Sequence, residues 1–92
     1  MKLTIDFYCG LARRLSRETS TVIEVSDHAT LREVCAALAE RFPTFLGPLI
    51  VPETYDLVEP HFFNINGRHA ASLEVVPKEG DRVFLMAITA GG

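Results

Sequence analysis

The sequence has only two cysteines, Cys9 and Cys35, in 92 residues. Their separation fits neither a metal site nor a redox pair, so free thiols in a reducing cytosol are expected. The three histidines, His28, His61 and His69, share no metal-ligand spacing either. No glycine-rich phosphate loop follows a strand pattern, which argues against nucleotide binding by this chain itself. No apolar run approaches the roughly 18 residues of a membrane-spanning helix. The first residues enter a strand pattern at once, without a signal-peptide pattern, and a cytoplasmic location is expected. The formal net charge is -3, and the nine Lys and Arg are scattered apart from Arg13-Arg14 with Arg17. A nucleic-acid footprint would need a basic patch, so neither nucleic acid nor membrane is an expected partner. There is no internal repeat, low-complexity segment or domain boundary. The length is enough for one domain and too short for two. A single domain over residues 1-92 is expected, with residues 89-92 as a flexible tail.

Residues Lys2 to Phe7 alternate, with Leu3, Ile5 and Phe7 on one face, as a half-buried strand does. Gly10 permits a bend, and Arg13 to Thr19 reads as a polar turn with a solvated arginine cluster. Thr21 to Val25 is rich in β-branched residues and reads as a second strand, antiparallel to the first. Thr30-Leu31-Arg32-Glu33 fits a helix capping box. Leu31, Val34, Leu38 and Phe42, flanked by Cys35 and Ala39, form one apolar helical stripe that Pro43 stops. Asp27, close to Thr30, reads as helix-entry chemistry. Residues 44-60 carry Pro48, Pro52 and Pro60 among many apolar residues, which predicts a packed irregular segment with one short helical turn. His61 to Ile65 reads as a third strand. Asn66-Gly67 is a hairpin turn because both residues tolerate positive φ, and Arg68 to Ala71 is the return arm. Leu73 to Val76 reads as a short strand or turn, and Pro77 to Asp81 as a turn. Arg82 to Ile88 is the last strand. Val83, Leu85 and Ala87 share one of its faces, and Phe84, Met86 and Ile88 the other. Both faces are apolar, as in a central strand covered by the helix on one side. The first and last strands are expected side by side and parallel, with the helix as crossover.

The sequence then closes on Thr89-Ala90-Gly91-Gly92. Two glycines without side chains can thread a narrow passage, and the only reactive group of such a tail is the α-carboxylate of Gly92. A frayed terminus is the bland alternative.

The order of elements and a set of short motifs resemble the ubiquitin-like β-grasp family and, within it, the small sulfur carriers of the molybdopterin-synthase small-subunit type. The thiamin-pathway carrier is a more distant likeness. The carrying residues are Leu3-Thr4-Ile5-Asp6-Phe7-Tyr8, Thr30-Leu31-Arg32, Ile65-Asn66-Gly67, and Gly80-Asp81-Arg82-Val83 leading to Gly91-Gly92. Ala87, Ile88, Thr89 and Ala90 stand where those subunits often carry prolines and a Val-Thr, and the segment from Pro43 to Pro60 looks longer than usual. The implied fold is α+β, a mixed sheet of four to five strands with one main helix across one face.

The resemblance implies a carrier that is not itself an enzyme. An E1-like partner would use ATP to adenylate the Gly92 carboxylate, and a thiocarboxylate would follow. No cofactor would be bound stably by the chain. A larger molybdopterin synthase subunit would accept the sulfur. Docking would fall on a first-strand aromatic, a residue past the middle hairpin and one on the last strand, which match Tyr8, His69 and Met86. Ile88, Thr89 and Ala90 would lead the tail, with Gly91 and Gly92, into the partner. Other readings stand beside this one: a protein modifier joined through Gly92, a carrier for thiamin, tungsten-cofactor or cysteine synthesis, and a β-grasp interaction domain that is never activated.

Overall fold

The computed structural model describes residues 1-88. The tail positions Thr89, Ala90, Gly91 and Gly92 lie outside the described residues.

The alternation at the start of the chain becomes β1, Lys2–Tyr8. Ser20–Glu24 forms β2, antiparallel to β1, with Leu3 opposite Ile23 and Ile5 opposite Thr21. Arg82–Ala87 forms β5, parallel to β1, with Phe7 opposite Leu85. His61–Ile65 is β3, antiparallel to β5, and Arg68–His69 is β4, paired back onto β3. The sheet order is β2-β1-β5-β3-β4, so the last strand lies at the centre. Asn66 and Gly67 make the β3–β4 turn at φ 52° and 92°, in the left-handed region their residue types tolerate.

One helix crosses one face of this sheet. Leu31–Arg41 forms α2, and its capping box is complete: the Thr30 hydroxyl accepts from the Glu33 N–H, and the Glu33 carboxylate accepts from the Thr30 N–H. The next orphan donors are met from outside the helix, because Leu31 N–H donates to Val75 O and Arg32 N–H to Leu73 O, both at 2.9 Å. Segment 73-76 is therefore a turn whose carbonyls serve the helix rather than a strand. The buried stripe of α2 is Leu31, Val34, Cys35, Leu38 and Ala39. It packs with Leu3, Ile5, Phe7, Phe63, Val83 and Leu85 into one cluster.

The irregular segment closes the same core. Pro43–Phe45 is a 3₁₀ turn. Phe45, Leu49 and Ile50 are fully buried, and Phe45 meets Phe7 edge-on with ring centroids 5.7 Å apart. The segment is tied to the helix by Arg32, whose guanidinium donates to Asp56, to Glu74 and to the Thr54 carbonyl.

Three expectations need correction. Gly10–Ser16 is a short helix, α1, where a bend and a polar turn were expected. Arg17 ends it at φ 60°, its N–H donating to Arg13 O, and only Ala12 is buried. Arg13 is also not simply solvated, since its Nε donates to Phe7 O at 2.6 Å. Asp27 does not serve the helix entry; its carboxylate accepts from the Met1 amino group at 3.0 Å.

Candidate functional site

The alternation that buries Leu3, Ile5, Phe7, Phe63, Val83 and Leu85 turns their strand neighbours to the opposite face of the sheet, which no element among the described residues covers. Register then places three of those neighbours in one row. Tyr8 on β1 pairs with Met86 on β5, and Met86 pairs with Phe62 on β3. His69 on β4 continues the row: its ring lies 4.3 Å from that of Phe62. Three sequence-predicted docking positions, Tyr8, His69 and Met86, are thus brought together across four strands.

A second row strengthens the first. Phe84 stacks on Tyr8 with centroids 5.2 Å apart and an interplanar angle of 16°. Tyr8 is nonetheless 55% exposed, so the stack shields one ring face and leaves the rest open. Cations border the aromatic surface. The Arg13 guanidinium lies 5.7 Å from the Tyr8 centroid, and that of Arg82 lies 5.3 Å from Phe84. Arg82 is held in place by Asp6 at 3.1 Å. Contacts of this kind are worth about 0.5–1 kcal/mol each at exposed sites, enough to orient a side chain without removing it from water.

Ile88, 61% exposed, follows the last residue of β5, and its N–H donates to Pro60 O at 3.2 Å. Beside it lies a shallow depression lined by Glu59, Pro60, His61, Phe62, His69 and Ile88. His61 is oriented there by a 2.9 Å contact between Nδ1 and Val58 O. The apolar patch therefore ends where the chain leaves the sheet toward residues 89-92.

Sequence reasoning missed Phe62. The signal was present, because an inward Phe63 in the strand His61–Ile65 requires an outward Phe62. The roles of Arg13 and Arg82 were also missed; they depend on α1 and on cross-strand neighbours. Phe84 is half-buried against Tyr8 on the open face and is not part of the helix-covered core.

The thiols have different surroundings. Burial pushes the Cys35 pKa up to about 12, and burial also raises that of Cys9 against the opposing pull of a backbone hydrogen bond and Arg13. Neither is a ready thiolate at neutral pH. Among the described residues, no group of three or more His, Cys, Asp or Glu side chains is placed to hold a metal ion. Among them, too, no helix is long and apolar enough to cross a membrane.

A family model described as the ThiS family matches residues 8–92. The chain belongs to the ThiS family. This ThiS-family chain also resembles solved structures over its whole length. SAMP1 from Haloferax volcanii superposes with a TM-score of 0.83 at 20% identity, covering 100% of each chain. A putative molybdopterin converting factor subunit 1 from Pyrococcus furiosus gives 0.75 at 22% identity, covering 97% of this chain and 99% of that one. A chain of the Amycolatopsis orientalis BexX/CysO complex gives 0.75 at 21% identity, with 98% and 99% covered. These likenesses establish the ubiquitin-like β-grasp fold. No curated protein matches the ThiS-family chain in sequence.

Proposed function

We propose that this ThiS-family protein is a sulfur carrier whose reactive group is the Gly92 carboxylate, and that it serves molybdopterin synthesis. A carboxylate is a poor acyl donor because its leaving group would be oxide. Attack of the Gly92 carboxylate on the α-phosphate of ATP, in an E1-like partner, gives an acyl-adenylate and releases pyrophosphate. The terminal sulfur of a persulfide then attacks the carbonyl and displaces AMP. Reduction of the acyl disulfide by a second thiol releases the thiocarboxylate and leaves a disulfide behind. The carrier supplies the handle and the partner supplies the active site, as with other group carriers. The protein is thus a non-catalytic subunit that binds no cofactor stably, and ATP belongs to its partner.

The observation that carries this reading is the row Tyr8–Met86–Phe62, reaching His69 and ending beside Ile88, directly upstream of Thr89-Ala90-Gly91-Gly92. A partner gripping that row has the tail at the edge of its grip, and a small apolar patch with a charged rim suits a transient interface. The likeness to a putative molybdopterin converting factor subunit and to a chain solved with BexX supports docking on a partner. The likeness to SAMP1, a small archaeal modifier protein, favours a second reading, in which Gly92 is joined to lysines of other proteins.

Intact-mass measurement after incubation with ATP, a sulfur donor and the cognate E1-like enzyme tests both. Exchange of one terminal oxygen for sulfur, absent when Gly92 is deleted, is the expected result. A stable adduct on another protein's lysine would move the assignment to the modifier. An unchanged mass, with the enzyme shown active on another carrier, would overturn both. Restored molybdopterin formation with the larger synthase subunit checks the pathway.

A further inference from the structure

The sheet has two edges, and they are unlike. β4 is two residues long, Arg68–His69, too short to template another strand. β2 is five residues long, Ser20-Thr21-Val22-Ile23-Glu24, and it carries no proline, lysine or bulge. Phe7 N–H donates to Thr19 O and Val25 N–H to Met1 O, so the odd-numbered residues of this stretch turn their backbone toward β1. By the alternation of an antiparallel ladder, the N–H and C=O groups of Ser20, Val22 and Glu24 point off the open edge. Natural sheets usually blunt such an edge. Here it instead carries Val22, which is 56% exposed.

We infer that β2 pairs with β2 of a second copy of this chain, antiparallel about a two-fold axis through Val22. That register sets Val22 opposite Val22 of the second copy and Ser20 opposite Glu24 of the second copy. Each is a pair whose backbone groups both face the seam, so the ladder is complete without any slip. No like charges meet along it. Charge complementarity extends beyond the strand. Arg41 is anchored at the Thr21 end, where its Nε donates to the Thr21 hydroxyl at 2.7 Å. Glu40 lies in the shallow groove beside Ile23 and Ala37. The two-fold sets Thr21 opposite Ile23 of the second copy, and so brings Arg41 toward Glu40 of the second copy. The flanking residues agree, with Arg17 before the strand and Asp27 after it. Two sheets would join into one continuous sheet, an isologous contact of the kind closed dimers use. The seam runs along the outer edge of β2, whereas the row from Tyr8 on β1 to His69 on β4 lies on a sheet face, so the row stays open on both copies.

Sedimentation equilibrium over a concentration series up to millimolar tests the inference on the full chain. A reversible monomer–dimer equilibrium is expected. Val22→Lys places like charges opposite each other at the axis and should weaken the dimer by about tenfold or more. Val22→Pro removes only an N–H that points off the edge, so the fold survives and the seam is lost. Retained circular dichroism and an unchanged denaturation midpoint keep these variants interpretable. Val22→Cys should crosslink to itself under mild oxidation with diamide, since Cα atoms in such a pair sit about 5.5 Å apart, within disulfide range. A wild-type mass that remains monomeric throughout would overturn the inference. A dimer indifferent to Val22→Lys and Val22→Pro would overturn it as well.

Discussion

Leu85 and Met86 are neighbours on the same central strand, yet they belong to different physical problems. Leu85 is fully buried under the helix with Phe7 opposite it. Met86 is half-buried on the open face, between Tyr8 and Phe62. One residue of chain separates a position that holds the fold from a position available to a partner. Composition does not distinguish the faces, since both are apolar on this strand. What differs is the covering layer: α2 and segment 43-60 seal one face, and among the described residues no element lies over the other. An apolar residue left uncovered on a central strand reports on binding more than on stability.

The largest effect should come from breaking the sealed face. Leu85→Ala removes buried methyl groups and leaves a cavity, at a cost of about 2–5 kcal/mol. In a domain of this size, with total stability of order 5–15 kcal/mol, that is a substantial fraction. Urea denaturation should show the midpoint drop accordingly. Carrier activation should fall only as far as the folded population does.

The open face should respond in the opposite way. Met86→Arg puts a charge at the centre of the apolar row. Stability should move by less than about 1 kcal/mol, because the side chain already meets water. On the proposed carrier function, adenylation by an E1-like partner should lose about tenfold or more in kcat/KM, mainly through KM, as expected where the contacts removed would hold the body of the chain and not the reacting carboxylate. Phe62→Ala should weaken the same step less. If Met86→Arg destabilised the fold as strongly as Leu85→Ala and left activation intact, the distinction between the faces would be wrong.

A third variant sharpens the contribution of the covering layer. Thr30→Ala removes the side-chain half of the capping box at the start of α2 and should cost about 1 kcal/mol. The cost is limited because Leu31 and Arg32 keep their bonds to Val75 O and Leu73 O. Denaturation midpoints should place it well below Leu85→Ala, with activation per folded molecule unchanged.

The strand alternation, the capping box and Asn66-Gly67 made most of this architecture legible, because in each case local preference and tertiary need agree. Tyr8, His69 and Met86 were singled out through family resemblance; register, which needs the strand order, sets Tyr8 beside Met86 and Met86 beside Phe62, and a ring contact with Phe62 adds His69. What escaped has local physical reasons. Helix α1 spans under two turns, opens on Gly10 and buries only Ala12 fully, with Leu11 and Leu15 half-buried against the core, so its apolar stripe is too short to stand out. It is held instead by Arg13 reaching back to Phe7 O and by Arg17 at positive φ, features a propensity argument does not foresee. Segment 44-60 turns at Gly47, Glu53 and Tyr55, all at positive φ. Gly47 is a conventional choice there and the other two are not. Asp27 looked like a capping residue by position, but the Met1 amino group holds it.

The smallest effect concerns a residue that belongs to neither face. Asp81 sits immediately before β5 and locks the turn that feeds it. Its carboxylate accepts from the Lys78 N–H and from Asn66 Nδ2, both near 2.8–2.9 Å, while Asn66 Oδ1 accepts from the Arg82 N–H. These bonds, that of Lys78 first, hold the Asp81 pKa below its ordinary value near 3.8. Between the folded and unfolded values the unfolded chain binds more protons, so lowering the pH favours unfolding. The contribution of Asp81 is therefore fully present above pH 4 to 5 and is lost as pH falls through the folded pKa. Asp81→Asn should destabilise the protein modestly at neutral pH, and its denaturation midpoint should converge on that of the wild type in acid. Convergence at low pH, with partner activation unchanged at neutral pH, would confine Asp81 to shaping the entry of β5. A loss of activation that outran the loss of stability would mean that the Asn66–Asp81 turn takes part in docking, and that the open face extends beyond the row from Tyr8 to His69.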